Sequence, residues 1–193
     1  MTARLEAISS ARQWIEQHPV YLDTETTGIG PGAEIIEVGV IDFDGRILAE
    51  TLVKPRGAME PGAEQLHGIS LASLQSEPEW GEVWPGIEAV LTGRLVGIYN
   101  SEFDLRLMRQ THQKNWLKWG GELGSGSFCI MKLYARYRGD WDRRRGSYRW
   151  YSLDVAGQSS GIPLPNAHRA VADARLARAV LYHIAGLPLV GES

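Results

Sequence analysis

Val20-Tyr21-Leu22 is a short apolar run that ends in two acids, Asp23 and Glu25, with one residue between them. Its composition reads as a buried strand over Val20 to Thr24. Alternate residues of a strand point to the same face. Asp23 and Glu25 are therefore expected to straddle the strand end and present paired carboxylates at one spot. Charges at the end of a buried strand are costly unless something compensates them. Thr26, Thr27 and Gly28 follow as a tight exit whose backbone N–H groups are candidate substrate contacts. A D-x-E alone is also what a solvated strand edge looks like, so the pair does not decide its own role.

The surrounding pattern predicts an α/β fold with one mixed central sheet flanked by helices. Residues 4–17 read as a short helix with Leu5, Ile8 and Ile15 on one side, halted by Pro19. Ile35–Phe43 and Arg46–Val53 read as strands joined at Asp44-Gly45, a hairpin signal. After a Pro/Gly-rich loop from Pro55 to Gly62, Pro85 suits the first turn of a helix that stops at Gly93. Leu95–Tyr99 reads as a strand and Ser101 as a helix start. Shorter helices are expected near 130–137 and 152–158. A last helix is expected from Asn166 to Ala185, with Ala170, Val171, Ala174, Ala177 and Leu181 on one face. At 193 residues the chain suits a single domain, with residues 1–19 as an N-terminal helical extension.

Two further acids and a histidine recur at element boundaries. Asp104 stands in Asn100-Ser101-Glu102-Phe103-Asp104, where it fits a capping box as well as a ligand. His168 and Asp173 lie five apart, about 140° round an ideal helix, so they do not share a face. They converge only if His168 sits at the frayed helix start beside the cap Asn166. Taken singly, His168 also reads as a surface histidine.

In order, Asp23-x-Glu25-Thr26-Thr27-Gly28, then Asn100-x-x-Phe103-Asp104, then His168-x4-Asp173 resemble the DEDDh branch of the DnaQ-like 3′→5′ exonucleases. The likeness runs from Val20 to about Ala185 and includes LHGIS at residues 66–70. It points away from the sister branch that uses a tyrosine. It implies an RNase H-like fold and a metal-dependent 3′→5′ exonuclease that releases nucleoside 5′-monophosphates. Asp23, Glu25, Asp104 and Asp173 would hold two Mg2+ or Mn2+ ions, since hard oxygen ligands select such cations. His168 would be the general base, and a histidine's ordinary pKa of ~6.5 suits that work. Substrate contacts are expected from Thr26, Thr27, Gly28, Leu66, His67, Asn100 and Phe103, with Leu66 also readable as core packing.

Between Lys132 and Trp150, arginines outnumber the acids Asp140 and Asp142 although the whole chain carries a net charge of −3. Arg143, Arg144 and Arg145 with Trp141 and Tyr148 combine positive charge and stacking surface, as single-strand binding requires. A solvated loop has the same composition. The partner expected is nucleic acid with a free 3′ end, DNA slightly ahead of RNA. A homodimer, a polymerase or DNA repair partner, a non-catalytic or proofreading arm and a short-RNA exoribonuclease all stay open. The single Cys129 and the absence of a long apolar run lead to the expectation of a cytoplasmic protein without a membrane span. A chain that ends some twenty residues beyond Asp173 reads as a stand-alone enzyme or a small docking partner.

Overall fold

The structure, a computed structural model, describes residues 2–163 and 168–191. Its elements in order are α1 (Ala3–Ile15), β1 (Val20–Thr26), β2 (Ile35–Ile41), β3 (Ile47–Leu52), α2 (Pro61–His67), α3 (Trp80–Leu91) and β4 (Leu95–Ile98). There follow α4 (Ser101–Lys114), β5 (Gly126–Cys129), α5 (Ile130–Arg138), β6 (Trp141–Asp142), β7 (Ser147–Tyr148), α6 (Leu153–Ser159) and α7 (Ala170–Ala185).

Five strands form one sheet in the order β3-β2-β1-β4-β5. The β1–β2 and β2–β3 pairs are antiparallel, whereas β1–β4 and β4–β5 are parallel. This is the expected mixed sheet, with β1 at its centre. Val20 and Leu22 face a core shared with Trp80, Ile87, Leu107 and Met108 of α3 and α4. Tyr21, one residue out of phase, faces the opposite core with Ala174, Ala177, Val180 and Leu181 of α7. Strand alternation thus sends the two acids to the α7 side and Thr24 to the α4 side.

Two close approaches set the depth of the layers. A Cβ on Gly39 of β2 would lie 2.5 Å from the Val171 nitrogen, so α7 begins directly against the sheet. Ala7 and Ala11, small residues one turn apart, let α1 lie on α5 and α7. The buried stripe of α1 is that alanine pair; Leu5, expected inside, is 53% exposed.

Several boundaries differ from the sequence reading. β1 continues through Thr26, so Asp23 and Glu25 lie within the strand. α3 begins five residues before Pro85, stabilised where the Glu82 carboxylate accepts the Glu79 N–H (2.8 Å) and by burial of Trp80. The expected cap Asn166 lies outside the described residues; α7 starts at Ala170, with Arg169 as its N-cap. α2, β5 and the β6–β7 hairpin were not anticipated.

Candidate active site

β1 pairs with β4 only from Val20↔Val96 to Leu22↔Ile98. Beyond Leu22, β1 outruns its parallel neighbour and leaves a crevice at the carboxyl ends of the two strands. Crevices of this kind are where α/β sheets bind ligands. Asp23 and Glu25 stand on the overhang, and Asp173 reaches them from the first turn of α7. One ligand oxygen from each of these three acids lies within 4.8 Å of the others.

Asp104 enters from the other layer. Asn100, in left-handed backbone conformation (φ 67°), is the N-cap of α4, and its side chain makes no capping bond. The carboxylate of Asp104 accepts a 2.7 Å hydrogen bond from Thr24 Oγ1. The capping-box reading of Asp104 therefore gives way to a cross-layer contact. Thr24, absent from the sequence reading, ties the fourth acid to the strand that carries the first two.

The acids disturb one another. Burial holds the Asp23 carboxyl well above its ordinary range, with further upward pushes from Asp104, Asp173, Glu25 and Glu37. Burial pushes Glu25 up to about 8, reinforced by Asp173, Glu37 and Asp104 and opposed by Arg169. Asp104 is pushed up to about 7 by burial, against the pull of the Thr24 bond. A cluster of carboxylates that resists ionisation on its own is suited to a divalent cation, which stabilises the charged forms. Its all-oxygen donors match a hard ion such as Mg2+ or Mn2+.

His168 lies just ahead of α7, at φ 46°, rather than inside the helix start. Glu37, also missed by the sequence reading, faces Glu25 across the ladder. Its buried carboxylate takes the Arg169 guanidinium (Nε 2.9 and 3.1 Å, Nη2 2.6 Å) and the Ala170 N–H (3.0 Å). An acid inside the otherwise apolar Ile35–Ile41 run was the signal that could have found it.

Beside the acids opens a mainly apolar cavity of about 320 Å³. Thr26, Gly28, Leu66, His67 and Phe103 line it, as do Ile29, Glu60 and Ala63, which the sequence did not single out. Leu66 is 56% exposed, so it is no core residue. His67 is buried and its pKa lowered by that burial; its Nδ1 accepts the Ile69 N–H (3.0 Å). Thr27 and Asn100 do not line the cavity. The Thr27 N–H is spent on the Glu34 carbonyl (2.8 Å), which removes it as a donor to substrate. The exit at Gly28 is covered by the Glu60 carboxylate, which lies where a side chain at Gly28 would stand.

The arginine-rich segment is a β6–β7 hairpin in which Trp141 packs edge-on against Tyr148 across the strands (5.1 Å). Arg143, Arg144 and Arg145 are exposed at its tip, and Asp142 accepts the N–H groups of Arg144 and Arg145. The segment that leaves the hairpin is tied to the carboxyl end of β4 through Tyr99, whose hydroxyl donates to the Tyr151 carbonyl (3.0 Å).

Comparison with known proteins agrees with this geometry. An uncharacterized exonuclease, CP81 of Escherichia phage 186, is 36% identical over 175 residues, covering 89% of this chain and 90% of the phage protein. The PolC-type DNA polymerase III of Thermotoga petrophila is 30% identical over 171 residues; that match covers 81% of this chain but 11% of the polymerase. Among solved structures, exonuclease X in complex with 5′ overhanging duplex DNA superposes with a TM-score of 0.59 at 25% identity, covering 88% of this chain and 94% of that one. The exonuclease family RNase_T matches residues 20–181, from the first residue of β1 into the last turns of α7. On that extent of match the chain belongs to the RNase_T exonuclease family, DnaQ-like nucleases on an RNase H-like fold that hydrolyse nucleic acid from its ends.

Proposed function

We propose that this exonuclease removes nucleotides from the 3′ end, DNA in preference to RNA, and releases nucleoside 5′-monophosphates. The carrying observation is the convergence of Asp23, Glu25 and Asp173, with Asp104 tied to them by Thr24, beside an apolar cavity at the open end of β1. Asp23, Glu25, Asp104 and Asp173 would hold two Mg2+ or Mn2+ ions. When bound, such ions supply Lewis acidity and charge neutralisation at the scissile phosphate.

The remaining work belongs to the chain's own groups. His168 takes the proton of the attacking water. The cavity walls Leu66 and Phe103 hold the terminal bases by apolar contact, and their shape excludes bulk water from the phosphate. His67 buttresses that wall through its bond to Ile69. Arg143, Arg144 and Arg145 attract the phosphates of the strand, with Trp141 and Tyr148 beside them. The exonuclease X complex with duplex DNA favours DNA as substrate. The PolC match favours a second reading, in which the same chemistry serves a polymerase as its proofreading arm.

Matched single-stranded DNA, duplex DNA and RNA, each 5′-labelled, test the proposal with Mg2+ and with Mn2+. The expected result is a ladder shortening from the 3′ end, fastest on DNA, and full protection by a 3′ block. Cutting of the 3′-blocked strand would overturn it.

A further inference from the structure

A fifth acid borders the centre. Directly opposed residues of an antiparallel pair share a face, with Cβ atoms ~4.5–5.5 Å apart. Glu37 therefore stands beside Glu25, and its charge raises the pKa of both Glu25 and Asp23. Glu37 differs from the other acids in its partners. Arg169 grips it with a two-pronged guanidinium and Ala170 adds a backbone N–H, so its oxygens are already occupied by the protein. Planar bidentate pairs of this kind are strong and geometrically exacting.

The same arginine stands in the chain between the two residues whose placement matters most. His168 precedes it. The Arg169 carbonyl accepts the Asp173 N–H (2.9 Å), which sets the first turn of α7. Gly39, two residues along β2 from Glu37, provides the space for Ala170 and Val171 to lie against the strand. One side chain fixed on β2 thus determines where both His168 and Asp173 stand.

We infer that Glu37 and Arg169 are paired positioning residues: Arg169 withdraws the fifth carboxylate from the cation site and, by the same bonds, registers the His168–Asp173 segment on β2. The inference rests on the roles proposed above for His168 and Asp173. It makes two opposed demands on one variant. Without Arg169 the segment loses its anchor, so turnover falls. Glu37 is at the same time released as an extra negative charge beside Glu25, so a divalent cation binds more tightly.

The test uses the full chain with Arg169→Ala, Arg169→Lys, Glu37→Gln and the double variant Glu37→Gln/Arg169→Ala. Turnover and KM are measured on a 5′-labelled oligonucleotide, and Mn2+ affinity by calorimetric titration without nucleic acid. Arg169→Ala is expected to lower kcat by ~10–100-fold, the usual cost of removing a supporting partner, with KM little changed, while binding Mn2+ more tightly than the wild type. The double variant should lose that gain in Mn2+ affinity. Arg169→Lys, which keeps the charge but not the fork, should lower kcat while leaving Mn2+ affinity near wild type, and it covers the case in which the alanine variant does not fold. A purely structural salt bridge predicts weaker Mn2+ binding on its loss; that result, or a wild-type kcat in Arg169→Ala, overturns the inference. Should the wild-type protein fail to shorten 3′ ends, the proposed function falls while the Mn2+ titrations still judge the pair.

Discussion

At the scale of single residues, Asp23, Glu25, Asp104 and Asp173 were each ambiguous in the sequence, and only their order along the chain, with its family resemblance, singled them out. Their partners were not singled out. Thr24 reads as an ordinary strand residue, and only the three-dimensional arrangement shows its hydroxyl bound to Asp104 across 80 positions of sequence. Arg169 reads as a surface residue until Glu37 is seen opposite. His168 was expected inside a helix start; instead it occupies a left-handed backbone conformation just ahead of one. Such conformations cost roughly 1–3 kcal/mol in a non-glycine residue and collect at functional sites. As the proposed base, His168 carries a kinetic prediction. His168→Ala should cut turnover by ~10²-fold or more, and near-wild-type rates across pH 6–9 would remove it from that role.

At the scale of elements, long periodic segments were read well and short ones poorly. α7 and the β2–β3 hairpin came through because their patterns extend over many residues. β5, whose Gly126-Ser127-Phe128-Cys129 has no apolar run where β4 has Leu95-Val96-Gly97-Ile98, and β6 and β7, with two residues each, offer too little pattern to register. Pro85 misled about α3 because a proline is preferred at a helix start. Here burial of Trp80 and the Glu79–Glu82 contact outweigh the cost of a proline inside the helix. The hairpin changes what the arginine-rich segment means: its charges are presented on a short folded ribbon whose exit, at Tyr151, is tied to the carboxyl end of β4 through Tyr99. Replacing Arg143, Arg144 and Arg145 together by Ala should raise KM for oligonucleotides, and more at low salt than at high, while kcat holds. An unchanged KM at low salt would dismiss the ribbon as a strand contact.

At the scale of the whole molecule, the acidic cluster couples stability to pH and to cations. Glu25 and Asp104 have folded-state pKa values of about 8 and about 7, above the ordinary carboxylate range. Through these two groups the folded protein binds more protons than the unfolded chain between pH ~4 and pH ~8, and their contribution to stability falls as pH rises through that window, while the burial-lowered pKa values of His67, His112 and His183 work the other way up to about the free histidine pKa of ~6.5. Without divalent cations the melting temperature should drop from pH 7 to pH 8. Added Mg2+ or Mn2+ should restore it, and more at pH 8 than at pH 5. Asp23→Asn, which removes one repelling charge, should raise the metal-free melting temperature at pH 8 and abolish activity. A metal-free melting temperature that climbs across this range would contradict the raised pKa values. No helix among the described residues is long and apolar enough to cross a membrane.

The place of β1 at the middle of the five-stranded sheet has a consequence for how the molecule fails. The base of the strand, Val20–Leu22, has neighbours on both edges and packed cores on both faces, the kind of segment that opens only when the whole structure opens, and the two acids continue from it paired to β2. Edge strands and surface helices can fray without moving Asp23 or Glu25. Heat or denaturant should then part Asp23 from Glu25 only in the cooperative step that opens the sheet itself.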